Sequence, residues 1–290
     1  MSRPAPRRPA EGTAAVDMSG VLEIVNMSDT GRKRPHNEDS TVSDARLGLA
    51  IVADGMGGYK GGEVASAIAV TTILHEMRQA LSRINPTQID KASGLSQGAL
   101  LLRDAITLAN GQIFQTASQE PLCQGMGTTV VAVLLHDGNR ISIAHVGDSR
   151  LYRLRNGRFE QITSDHSLIQ ELINKGYFTR EEAVANTPKN LVTRALGIEE
   201  DVVVDIQDDV FLPQDTYLMC SDGLNDMISD EEIHLTLSKY SGNLIQAASE
   251  LIRIANQNGG KDNISVILIR PRVGARGKMG WWKKLFGWFS

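Results

Sequence analysis

Two hairpins in succession constrain this chain more than any other feature. "GTTVVAVLLH" and "RISIAHVG" are β-type runs joined by the short turn "DGN". "RLYRLR" and "RFEQIT" then flank Asn156-Gly157, a pair that favours the left-handed backbone of a type I′ turn. Strands joined by such tight turns run antiparallel. "VLEIVNMSDT" and "LGLAIVA" read as earlier strands, and "VVVDI", "DTYLMCS" and "NISVILIR" as later ones. Helical spacing appears before the hairpins, in Val70, Ile73, Leu74, Met77, Leu81 and Ile84, and again in Leu95, Leu102, Ile106, Ala109 and Ile113. Pro86 separates the two, and "NLIQAASELIRIANQ" is a later helix. Helices first, strands in the middle and a helix late do not fit an alternating βαβ chain. The expected class is α+β, with antiparallel sheets packed together and helices covering them.

The 290 residues, 41% hydrophobic, suffice for a substantial core, and a net charge of -4 gives no sign of a nucleic-acid partner. Two cysteines, Cys123 and Cys220, argue against a disulfide framework and fit a reducing, cytoplasmic setting. No apolar run reaches the ~20 residues of a bilayer span. Residues 1–20 read as a disordered Pro-, Ala- and Arg-rich arm, so the folded domain is expected over 21–272.

Several carboxylates stand at strand ends. Asp54 closes an apolar run and precedes five glycines within eight residues; Asp222 follows "TYLMCS", Asp148 follows "ISIAHVG", and Asp262 precedes the last strand. Glu38 and Asp39 are expected in the loop after the first strand. A single Asp-Gly is usually a turn. If the strand ends converge, however, these groups repel one another unless cations neutralise them, and hard oxygen donors suit Mg²⁺ or Mn²⁺. The glycines would then let backbone approach. "GMGGYKGG" lacks the G-K-[ST] ending and the G-x-G-x-x-G spacing of nucleotide loops.

"RPHNED" from Arg34, "VADGMGG" from Val52, "GTT" from Gly127, "GDSR" from Gly147, "CSDGL" from Cys220 and "KDNIS" from Lys261 occur in an order that resembles the metal-dependent protein phosphatases of type 2C, in bacterial style. The likeness runs from about residue 21 to 270. It implies an antiparallel β-sandwich flanked by helices on both faces, and hydrolysis of phosphoserine and phosphothreonine by a water bridging two Mn²⁺ or Mg²⁺ ions. By resemblance, Asp54, Asp222 and Asp262 hold one ion. Glu38, Asp54 and the Gly55 carbonyl hold the second, and Asp148 with Asp222 matches the ligands of a third. Asp39 orients metal-bound water, Arg34 binds the substrate phosphate and Asn263 supports Asp262. Arg150, Thr128 and Thr129 read as structural. Family members with a histidine where Met56 or Tyr59 stands have a candidate proton donor that this chain lacks. The implied partners are phosphorylated proteins and a Ser/Thr kinase whose work is reversed. The alternative is a phosphoprotein-binding regulatory module of the same fold without turnover.

Residues 165–200 match the flap beside the site in bacterial relatives, with a helix capped by Ser167 and ended at Gly176. Residues 273–290 form a basic tail carrying all three tryptophans in "GWWKKLFGWFS". As a helix it places Trp281, Trp282, Leu285, Phe286, Trp288 and Phe289 on one arc. It suits an interfacial helix at the inner face of a membrane, a partner's groove, or its own domain.

Overall fold

The structure, a computed structural model, describes residues 17–272 except 59, 189 and 190. Strands and helices are numbered along the chain. One sheet runs, in spatial order, β1 (Leu22–Asp29), β11 (Ile264–Pro271), β10 (Thr216–Cys220), β7 (Arg150–Arg155) and β8 (Arg158–Gln161). The other runs β2 (Asp39–Asp44), β3 (Leu49–Met56), β5 (Val130–His136), β6 (Arg140–Val146) and β9 (Asp205–Val210), with the two-residue β4 (Gly127–Thr128) on β3. Every pairing is antiparallel. Both expected tight turns form: Asn156 and Gly157 have φ of 51° and 79°, and Gly138 and Asn139 of 77° and 59°.

Alternation along the strands sorts the core into three layers. Leu49, Ile51 and Ala53 point to one side of β3, against α1 (Gly61–Leu81) and α2 (Gln97–Gln119). Ala50 and Val52 point to the other, where they meet Tyr217, Met219, Ile267 and Ile269 of the facing sheet. Beyond that sheet, Leu218, Cys220, Val266 and Leu268 pack against α5 (Asp222–Asn225), α6 (Asp230–Lys239) and α7 (Leu244–Gln257). The layers are therefore helix, sheet, sheet, helix. β5, "VVAVLLH", is buried at every residue because both of its faces are covered. The flap contributes α3 (Leu168–Asn174), capped by Ser167 onto Gln170, and α4 (Arg180–Asn186).

Four details depart from the sequence-based expectation. Met18 is buried, and its N–H donates to Arg46 O, so packing begins before residue 21. Asp39 opens β2 directly opposite Asp54 rather than lying in a loop. β9 starts at Asp205, opposite His145; Val202 and Val204 pack on the helix layer before the ladder begins. α6 was not expected, although Ser229 and Glu232 cap each other reciprocally in the S-x-x-E pattern. Residues 1–16 of the arm, Tyr59 and the tail 273–290 lie outside the described residues.

Candidate active site

All the singled-out carboxylates come to one end of the sandwich. Asp54 is near the end of β3, Asp39 starts β2 beside it, Asp148 follows β6, Asp222 follows β10, and Asp262 precedes β11. The four strongest charge interactions on Asp54 come from Asp39, Asp222, Asp148 and Asp262. Burial, followed by these like charges, raises the Asp54 pKa well above the usual carboxylate range. Burial, then Asp148 and Asp262, pushes Asp222 up to about 8. Burial holds Asp148 at about 6 with Asp165 adding to it, and raises Glu38 despite the opposing charge of Arg34. Asp39 is also pushed to about 6 by burial, against hydrogen bonds from the Ser265 and Ser221 hydroxyls.

Small residues and amide groups hold this set in place. Thr128 Oγ1 and Thr129 N both donate to Asp54 O, at 2.8 and 2.9 Å, while Asp54 N donates to Thr129 Oγ1. The "GTT" residues thus clamp the Asp54 backbone, as the structural reading expects. The glycine run serves close packing of backbone. A Cβ on Gly55 would lie 2.1 Å from Gly62 O and 2.6 Å from Glu38 O, so α1 can start against the end of β3 only because both residues are glycine. Gly55 N donates to Glu38 O, and Ser66 Oγ donates to the same oxygen at 2.6 Å.

Asn263 has a wider role than supporting its neighbour. Its Oδ1 accepts from Glu38 N at 2.8 Å, and its Nδ2 donates to Thr30 O and His36 O, both at 2.9 Å. It pins both ends of the loop that carries Arg34. Arg34 Nη2 donates to Asp262 Oδ2 at 2.6 Å, and its side chain is half exposed at the mouth of the site.

The donors fit divalent cations. They are hard oxygens, and the strongest charges acting on Asp54 all repel it. Asp39 Oδ1 is buried and accepts no hydrogen bond. A carboxylate oxygen left in this way is costly unless a cation or its water faces it.

A family model described as protein phosphatase 2C matches residues 32–268. The chain belongs to the protein phosphatase 2C family. It is a metal-dependent protein serine/threonine phosphatase. The serine/threonine phosphatase stp of Listeria welshimeri is 37% identical over 254 residues, 87% of this chain and 96% of that one. The crystal structure of the Mycobacterium tuberculosis serine/threonine phosphatase PstP/Ppp superposes with a TM-score of 0.76 at 36% identity, covering 87% of this chain and 99% of that one. A PstP catalytic domain solved in complex with two manganese ions gives 0.72 at 35% identity, with the same coverage of each chain.

Two neighbouring groups were not singled out from the sequence. Asp165 and Asp226 add negative charge around Asp148 and Asp222, respectively. Asp165 takes a two-pronged contact from Arg150, which confirms that arginine as a structural brace of the phosphatase. His145, His166 and Asp205 also converge. Arg194 Nη1 stands 2.7 Å from Asp205 Oδ1 and 3.2 Å from His166 Nε2, so a protein cation already occupies that corner. His166 Nδ1 accepts from Gly147 N, and the group ties the base of the flap to the turn before Asp148.

Proposed function

We propose that Asp54, Asp222 and Asp262 hold one Mn²⁺ or Mg²⁺, that Glu38, Asp54 and the Gly55 carbonyl hold a second, and that Asp148 with Asp222 holds a third. The observation that carries this reading is the charge environment of Asp54, whose strongest electrostatic neighbours are four carboxylates. When bound, the ions lower the pKa of water and neutralise the transferring phosphoryl group. The protein's share is orientation. Arg34 presents a planar fork to two phosphate oxygens at the exposed mouth. Asp39, whose Oδ2 accepts from Ser221 Oγ at 2.8 Å while its Oδ1 is buried without a hydrogen bond, would orient metal-bound water. Asn263 and Thr128 fix the segments carrying Glu38 and Asp54. Cys220 takes no part: it is fully buried, and burial pushes its thiol up to about 12.

Hydrolysis of p-nitrophenyl phosphate and of phosphothreonine peptides should require added Mn²⁺ and stop with chelator. Turnover in chelator at the Mn²⁺ rate would defeat the assignment. The complete carboxylate set favours an active enzyme over a binding module. In the cell it would reverse the work of a Ser/Thr kinase.

The tail supports a second proposal, peripheral attachment to the inner membrane face. Among the described residues no helix is long and apolar enough to cross a membrane. The sequence of 273–290 is basic and aromatic with no acid, and each cation near an anionic surface adds about 1 kcal/mol. Full-length protein should float with anionic vesicles and a chain ending at Arg272 should not. Equal flotation of the two would end this proposal.

A further inference from the structure

The loop that carries Arg34 presents more positive charge than one phosphate requires. It reads "GRKRPHNED", with Arg32 and Lys33 exposed just before Arg34. Their backbone N–H groups both donate to Gly260 O, at 2.7 and 3.2 Å. Gly260 has a φ of +50°, and a Cβ there would meet Arg32 Cγ at 2.8 Å and Arg32 N at 2.9 Å. The glycine therefore lets the Arg32 stem lie flat on the 259–261 turn. The next residue on that turn is Lys261, also exposed, followed by Asp262, the partner of Arg34. Two interlocked loops thus gather Arg32, Lys33, Arg34 and Lys261 on one lip of the site. Among the described residues only Arg34 of these four forms an ion pair.

Where the centre meets the flap the sign is reversed. A cavity of about 220 Å³ opens there between the metal-ligand side and the flap. Asp148, Asp165, Asp222, Asp226 and Asp230 line it, and Arg150, committed to Asp165, is the one basic residue in its lining. A substrate strand crossing the centre passes from a cationic shelf to an acidic cavity.

We infer that Arg32, Lys33 and Lys261 select protein substrates that carry acidic side chains next to the phosphorylated residue. This rests on the phosphatase reading above. The occupant follows from position: whatever lies on the shelf while Arg34 holds the phosphate is joined to that phosphate by a few residues of chain. A membrane or a nucleic acid would need a broader basic face, and the chain as a whole is acidic, with a net charge of -4. Exposed ion pairs are individually weak, so each contact should change kcat/KM by about two- to fivefold, weakening with salt.

The test uses phosphothreonine peptides of equal length that carry Glu, Ala or Lys on one side of the phosphothreonine and Ala on the other, made in both orientations so that the varied side meets the shelf in one of them, with full-length Mn²⁺-loaded protein. The readout is the kcat/KM ratio of Glu- to Ala-flanked peptide within one preparation. In that orientation the wild type should favour Glu by roughly tenfold at low ionic strength, with Lys-flanked peptide poorest. In Arg32→Ala/Lys33→Ala/Lys261→Ala the ratio should fall to about one. Lys33→Glu/Lys261→Glu leaves the Arg32 stem on Gly260 and should invert the order, so the idea stays testable if the triple variant does not fold. A wild-type ratio of one in both orientations, or a preference that survives both variants, would overturn the inference while leaving the phosphatase reading intact. Failure to hydrolyse even the Ala-flanked peptide would remove that reading and this inference with it. Binding of anionic vesicles through the shelf in a chain ending at Arg272, with no peptide preference, would assign the shelf to lipid instead.

Discussion

Two groups of buried or half-buried carboxylates in this molecule face opposite circumstances. Asp215 is 2% exposed, yet its oxygens meet Arg155 Nε at 2.9 Å and Nη2 at 2.7 Å, with the Leu212 N–H at 2.6 Å. Asp208, on the same sheet as Asp54, accepts from Ser96 N, Ser96 Oγ and Ser142 Oγ, and so anchors the start of α2. Each of these acids is answered by donors of the protein. At the other end Asp54 and Asp222 are answered chiefly by further acids. A buried carboxylate with its own donors is part of the scaffold; one surrounded by carboxylates is incomplete until a cation arrives.

Substitution should separate the two groups most sharply in activity. Asp54→Ala and Asp222→Ala should each lower kcat by on the order of a hundred- to a thousandfold. Measured without metal, both variants should be at least as stable as the parent, because a repelling charge is gone. Near-parental turnover in either variant would merge the two groups. Asp215→Ala should behave in the opposite way. It strands Arg155, so chemical denaturation should reveal a loss of about 3 kcal/mol. The fraction still folded should turn over normally, and a kcat loss matching that of Asp222→Ala would erase the contrast. Arg34→Ala is smaller again. Metal affinity should hold, while kcat/KM falls by about 1.5–3 kcal/mol, or roughly ten- to a hundredfold. Unchanged kinetics across a substrate titration would make Arg34 a surface cation.

The subtlest test is the pH dependence of the metal-free protein. Asp222 is raised from 3.8 to about 8. Over that interval the folded state binds more protons than the unfolded one, so stability falls as pH rises through it. His136 acts in the opposite sense: burial lowers it to about 4, and its contribution is complete above 6.5. The window from 6.5 to 8 therefore isolates the acidic cluster. In chelator, thermal stability should decline across it, and Mn²⁺ should reverse the decline because binding displaces the protons. A Tm in chelator that is flat or rising over that window would show that the cluster is already compensated.

Much of the fold was readable in advance because its signals are local. The turn at Asn156-Gly157 depends on two residues' access to positive φ. The stripe Val70, Ile73, Leu74, Met77, Leu81 and Ile84 depends on spacing alone; four of the six are buried, Leu74 is half-buried, and Ile84 lies exposed past the end of α1. The site's motifs were equally legible, since each is a short run of residues. The opening of β2 at Asp39 was not: "NEDSTVSD" is half-buried throughout and polar except for Val42, so no apolar alternation marks it. The reach of Asn263 across more than two hundred residues to Thr30, His36 and Glu38 leaves no mark on spacing either.

The sequence by itself determined the antiparallel hairpins, the apolar faces of the helices and the identity of the carboxylates. Tertiary structure decided which carboxylates share one unscreened space and which receive donors, which loop Asn263 holds, and that Arg32, Lys33 and Lys261 stand on one lip. The reason is that a turn or a helical stripe is fixed by neighbours a few bonds away. Charge and solvation depend on groups that only the packed sheets bring together.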